Sequence, residues 1–228
     1  IGEILSRGLE TLKNNLGFFA FLWLITIIIG VVVWMILTGL LVAFGVTTGL
    51  SGLLVTGGEL SIANLNLLLG STAGLAIITF LLLLFSLSWA FGAYALAVND
   101  AINNQITSAW DCYKKAWGKI WTFTGLSIVT GMILLVGYLL LVIPGIIFSV
   151  FLFYAFYLVA AEDCGTFSAI SKSFTLASKK WLETLVVLLI VLAASFIVSF
   201  LPFVGIFFVL VTNIFLILCA GVIYKSIQ

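Results

Sequence analysis

Long apolar runs alternate with short segments in which polar residues return at helical spacing. Six stretches, about 17–43, 72–98, 121–143, 145–161, 183–201 and 204–223, are apolar almost without interruption. An α-helix needs about 20 such residues to cross a hydrocarbon layer of roughly 30 Å. Glu183, at the edge of the fifth stretch, is the one Asp, Glu, Lys or Arg in any of them. The pattern predicts an all-α polytopic membrane bundle of six transmembrane helices. The fourth, near 17 residues, is short enough to stand almost upright, whereas the first is long enough to tilt or to run beyond the lipid.

The intervening segments carry their own period. In residues 1–16, Ile1, Ile4, Leu5, Leu9, Leu12 and Leu16 share one helix face, with Glu3, Arg7, Glu10 and Asn14 opposite. Before the third stretch, Ile106, Ala109, Trp110, Tyr113, Trp117 and Ile120 line up against Asp111, Lys114, Lys115 and Gly118. Before the fifth, Phe167, Ile170, Phe174, Ala177 and Trp181 do so against Ser168, Lys172, Thr175 and Lys179. Each reads as an interfacial amphipathic helix. Ser108 and Asp111 fit a capping box that would start the second.

Each amphipathic segment is followed by two apolar stretches, which predicts a threefold helix-plus-hairpin repeat. Aligning Leu9, Tyr113 and Phe174 brings Leu12, Ala116 and Ala177 together, then Leu16, Ile120 and Trp181. The chain is thereby one membrane domain over 1–228, with repeat units about 1–98, 104–161 and 165–224. Ile143-Pro144-Gly145-Ile146 and Leu201-Pro202-Phe203-Val204-Gly205 are expected to break the helix and reverse the chain in the second and third units. In the first unit, about 44–71 is rich in Gly, Thr, Ser and Leu, with Glu59 its only charge. It reads as a folded external loop, with a re-entrant segment the alternative.

Composition agrees with lipid as the solvent. Of 228 residues, 64% are apolar and 7% charged, against roughly 25% charged in a soluble domain. The net charge of +1 carries no information about partners; position does. All nine Lys and Arg residues fall on one side of a six-span arrangement: Arg7 and Lys13; Lys114, Lys115 and Lys119; Lys172, Lys179 and Lys180; and Lys225. An odd number of spans would spoil that partition. The positive-inside rule therefore predicts a multi-pass protein of the cell membrane with both termini cytoplasmic. Trp110, Trp117, Trp121 and Trp181 fall at the same boundary, where an indole keeps its ring in lipid and its N–H wet. Residues 1–16 do not read as a signal peptide, because their charges spread along a helical pattern.

Histidine is absent, which removes the commonest metal ligand and the usual general base near neutral pH. Cys112, Cys164 and Cys219 are isolated in sequence and odd in number, so no disulfide, metal site or cofactor is expected.

Ile143-Pro144-Gly145, Val159-Ala160-Ala161-Glu162-Asp163 and Ser168-Ala169-Ile170-Ser171-Lys172-Ser173-Phe174 follow one another in an order that resembles a known family. It is that of the membrane domain fused to some glycerophosphodiester phosphodiesterases, and of its stand-alone six-helix prokaryotic relatives. Ala95–Trp121 also looks like that family's middle cytoplasmic helix, and the likeness covers roughly 90–185. The resemblance implies the fold. It implies no catalytic residue, because the soluble phosphodiesterase domain has no counterpart in these 228 residues.

The candidate site residues follow from the charges and the few polar groups in apolar runs. Lys114, Lys115, Lys119, Lys172, Lys179 and Lys180 are candidate contacts for anionic lipid; simple obedience to the positive-inside rule is the alternative. Asp100, Glu162 and Asp163 stand at the exits of the second and fourth stretches. They form either an acidic site or pairs with nearby lysines and helix N-termini. Asn213 reads as helix-packing glue, with ligand contact the alternative. Gly30, Gly39, Gly125 and Gly131 are expected to let helices approach closely.

With no nucleophile–base pair and no ionisable group inside a span, the expected function is non-enzymatic. The chain would organise lipid or serve as a subunit or scaffold of a membrane assembly, with membrane lipids and other membrane subunits as partners and no nucleic acid. The alternative is a transporter or channel for a neutral or amphipathic solute. That fits less well, because three units share one orientation and no apolar stretch is visibly broken at its middle. A lipid enzyme using Asp100, Glu162 or Asp163 is the least favoured.

Overall fold

In a computed structural model of the chain, residues 2–56, 62–105, 108–199 and 204–227 are described, without most side chains between 40 and 76 and between 195 and 210. All regular structure among them is α-helical: α1 Gly2–Asn14, α2 Leu16–Thr56, α3 Ile62–Ile102, α4 Ala109–Gly118, α5 Ile120–Leu140, α6 Val142–Leu152, α7 Ala155–Glu162, α8 Thr166–Lys179, α9 Trp181–Ser199 and α10 Val204–Lys225. Among the described residues, four stretches are long and apolar enough to cross a membrane: Leu16–Gly39, Ile77–Ile102, Ile120–Leu140 and Val142–Glu162. Trp181–Ala194 and Val211–Lys225 are shorter apolar helical stretches.

Several local expectations need correcting. Residues 44–56 and 62–71 continue α2 and α3 as helix rather than forming a loop. Glycine weakens a helix by about 1 kcal/mol, but only proline removes a donor and clashes, and this segment has leucine in plenty and no proline. Glu59 and the Leu201–Phe203 part of the second expected turn lie outside the described residues. The α5–α6 reversal occurs at Leu141, whose backbone is extended (φ −174°, ψ 160°), and not at Pro144-Gly145. Pro144 sits in the first turn of α6, where a missing N–H costs nothing. Gly145 is required by packing, since a Cβ there would clash with the Tyr138 ring. Of the four span glycines, Gly125 alone has a neighbour a Cβ would meet, Thr166; Gly30, Gly39 and Gly131 face open space among the described residues.

Contacts divide the chain into two compact units, Ile25–Leu87 and the combination of Ile1–Leu24 with Ser88–Gln228. The first consists of α2 from Ile25 onward and α3 up to Leu87, and Ile28, Val31, Val32, Trp34, Met35, Phe80 and Leu81 are exposed on it.

The second unit contains a well-packed core made by the C-terminal ends of three apolar helices. Ala93–Val98 of α3, Ala155 and Tyr157–Val159 of α7, and Leu218–Ala220 and Ile223 of α10 are all buried. The amphipathic helices lie against these ends. α1 packs along α10, with Gly8 facing Phe215 and Cys219. α4 packs on α3, where the Trp89 indole donates to the Tyr113 carbonyl at 2.9 Å and crosses the Tyr113 ring edge-on. α8 packs on α6 and α7, with Phe151 stacked on Phe174. The faces turned inward are built of small residues: Gly8; Ala109, Cys112 and Ala116 with Tyr113; and Ala169, Ser173 and Ala177. Small side chains let helix axes approach closely, and dispersion then accumulates over many contacts. Ser108 occupies the N-cap position of α4 in an extended conformation, but its side chain makes no capping bond, so the expected box is not formed.

Candidate functional site

The fourth apolar stretch is interrupted. α6 ends at Leu152 and α7 begins at Ala155, although Phe153 and Tyr154 are neither proline nor glycine. The cause comes from another helix. The Ser173 hydroxyl of α8 donates to the Phe151 carbonyl at 2.6 Å and accepts the Tyr154 N–H at 3.2 Å. A side chain inserted into the i→i−4 ladder bends a helix while keeping its backbone groups satisfied. The Tyr154 hydroxyl hydrogen-bonds Thr184 of α9 at 2.5 Å, and both residues are fully buried. Sequence reading expected no such break.

Nearby, the three helix ends meet in a polar junction. The Tyr157 hydroxyl lies 3.4 Å from Asn99 Oδ1, and the Tyr157 and Tyr224 rings meet edge to face at 5.5 Å. The Tyr224 hydroxyl donates to Glu162 at 2.6 Å, and Lys172 pairs with the same carboxylate. Lys225 donates to the Ile102 carbonyl at 3.0 Å. Gly221 makes the approach feasible: a Cβ there would strike Ile102 and come within 2.7 Å of the Tyr157 ring. A cavity of about 420 Å³, lined by polar and apolar groups alike, opens beside this junction, between α1, the end of α3 and the end of α10. Arg7, Glu10, Asn14, Asn104 and Lys225 are among its lining residues.

The candidate charges are largely consumed by one another. Lys115 pairs with Asp100 at 3.3 Å, Lys119 with Asp163 at 2.7 Å, Lys172 with Glu162 and Lys180 with Glu183 at 3.1 Å. Lys114 and Lys179 are exposed and form no ion pair among the described residues. Asp100, Glu162 and Asp163 thus each stand in an ion pair with a lysine. These pairs link elements, joining α3 to α4, the α4–α5 corner to the α7–α8 turn, and α7 to α8. Asn213 is half-buried on α10, away from the junction residues in sequence. The hydrogen bond from Lys172 to Glu162, and then the carboxylate's charge, raise the lysine above its ordinary value. Burial likewise pushes the Cys164 thiol up, only partly opposed by Lys172.

On α4, Trp110, Tyr113, Lys114 and Trp117 form a groove with Trp89 of α3, about 360 Å³ in volume and almost wholly apolar. Trp89 and Trp117 meet edge to face at 5.2 Å. Sequence reading found the tryptophans of α4 but missed Trp89. It likewise missed Asn99, Ser173 and Tyr224 as partners. A signal existed for the tyrosines: a phenol inside an apolar run needs a hydrogen-bond partner.

Comparison with known proteins finds no matching family model, no matching curated protein and no matching solved structure.

Proposed function

We propose that the chain is a six-span membrane protein of three helix-plus-hairpin units, with both termini cytoplasmic, that organises lipid or scaffolds a membrane assembly without catalysing a reaction. The observation that carries this reading is the outward side of the amphipathic helices. Their small residues are turned to protein and Lys115 and Lys172 are neutralised within the chain, yet Trp110 (51% exposed), Trp117 (55%) and Phe167 (77%) remain uncovered. Apolar aromatics beside paired charges suit the headgroup boundary better than bulk water.

The threefold arrangement draws support from burial and packing. The register that aligns Leu9, Tyr113 and Phe174 also aligns Gly8, Cys112 and Ser173, and all three of these are buried. Each amphipathic helix lies on the apolar helix before it, α4 on α3 and α8 on α7, and α1 on α10 completes the cycle. With no matching family model, the likeness to the phosphodiesterase-associated membrane domain rests on the residues quoted for it.

Extraction in a mild detergent, followed by mass spectrometry of everything that co-migrates, tests the reading. A stoichiometric protein partner or a retained lipid class supports it; a bare monomer that exchanges all lipids freely refutes it. A second reading, a transporter for a neutral or amphipathic solute, is favoured by the break at Phe153–Tyr154, since interrupted helices frame substrate sites in many transporters. Liposome flux no greater than that of empty vesicles, across varied solutes, would remove it.

A further inference from the structure

We propose that the groove formed by Trp89, Trp110, Tyr113, Lys114 and Trp117 is a binding site for one anionic phospholipid, its phosphate on the Lys114 ammonium and its glycerol and upper acyl segment against the indoles. This deepens the lipid-organising reading and rests on it.

The first ground is the contrast between α4 and its sister helices. In the register that aligns the three units, Trp110 corresponds to Ser6 and Ser171, Lys114 to Glu10 and Thr175, and Trp117 to Lys13 and Ser178. All nine side chains are exposed, yet only on α4 are two of the three positions tryptophan. The buried face of α4 is made by Ala109, Cys112, Tyr113 and Ala116, and the two exposed indoles lie outside it. The groove is therefore an addition to the scaffold.

The second ground is charge. Lys115 and Lys119, which follow the groove lysine in sequence, are taken by Asp100 and Asp163, whereas Lys114 is in no ion pair among the described residues. A cluster of indoles alone would suit a quaternary ammonium through cation–π attraction, but a lysine in the same groove opposes a second cation. An anion with an apolar tail satisfies both parts: the lysine stem lies along apolar surface and its ammonium reaches the phosphate layer.

The test uses the full chain, delipidated in detergent and titrated with phosphatidylglycerol or phosphatidylcholine while bound lipid is counted by native mass spectrometry. One phosphatidylglycerol is expected to bind ahead of any phosphatidylcholine. K114Q should weaken that binding about five-fold, the worth of one basic residue near an anionic lipid, and leave phosphatidylcholine unaffected. Replacing both indoles with the sister-helix residue, W110S/W117S, should weaken the same first binding event, and K179Q should leave it alone. Equal binding of the two lipids overturns the proposal. So does an unchanged affinity in K114Q, or an equal loss in K179Q, which would mean diffuse surface charge. In those last two cases retention of lipid by the wild type leaves the lipid-organising reading intact; a wild type that retains no lipid removes both.

Discussion

Replacing Ser173 with alanine is the sharpest probe of how α8 is held. The substitution removes two hydrogen bonds, to the Phe151 carbonyl at 2.6 Å and from the Tyr154 N–H at 3.2 Å, at a position with no solvent exposure. Two scales compete for the magnitude. Side-chain hydrogen bonds between membrane helices average only about 0.6 kcal/mol, because the membrane-embedded unfolded state finds other partners. Stranding a buried donor costs about 1–3 kcal/mol. The second should govern here, since Tyr154 is itself fully buried and its N–H has no water to turn to. A loss of about 2 kcal/mol is expected, a factor of about 30 in the unfolding equilibrium. Ser178 on the same helix is the control. Its hydroxyl donates at 2.7 Å to the Phe174 carbonyl within α8 and is exposed, so S178A should cost under about 0.5 kcal/mol. Denaturant titration of both purified variants in detergent, followed by circular dichroism, gives the comparison. If S173A matches S178A, the inserted hydroxyl is not what maintains the break.

Three other outcomes follow from the geometry. G221A should destabilise by about 1–3 kcal/mol through overpacking against Ile102 and Tyr157, whereas G131A, facing open space, should stabilise by up to about 1 kcal/mol; thermal unfolding of equal sign for the two would contradict this. Because Glu162 raises Lys172 and Lys172 lowers Glu162, the pair's contribution is complete between the ordinary carboxylate and lysine values, about 4.3 and about 10.4, and on the alkaline side is lost as pH rises through the raised lysine value. Wild type should therefore lose more thermal stability than E162Q on going alkaline, and parallel pH profiles would refute the linkage. Finally, burial favours the neutral Cys164 thiol, so iodoacetamide at pH 8 should label it more slowly than a cysteine placed at exposed Ser171; equal rates would argue against it.

Helix type and amphipathic faces were legible because they depend on local period, and α1, α4 and α8 fall where the charges recur. Pairing of the exit carboxylates with lysines was legible in kind, but the partner of Asp163 was not, since Lys119 comes from a distant segment. The break at Phe153–Tyr154 has no local signature because its cause, Ser173, belongs to another helix. Residues 44–71 misled because glycine and threonine suggest a loop, while leucine and the lack of proline allow helix. Grouping by hydrophobicity did not show which side meets protein: Phe167 and Ala177 were placed on one apolar face, but Phe167 is exposed, and Ala169, Ser173 and Ala177 are the buried positions.

The packing of α1 on α10 has a consequence for biosynthesis. Gly8 emerges from the ribosome near the start of this sequence, but Phe215 and Cys219, which cover it, are made some 200 residues later. At about 5–20 residues per second, α1 waits on the order of 10–40 s for its partner. Over that interval its apolar side is free to lie on the bilayer or to engage an insertion chaperone. Docking of α1 has to wait for α10, and a chain halted before α10 would leave α1 undocked.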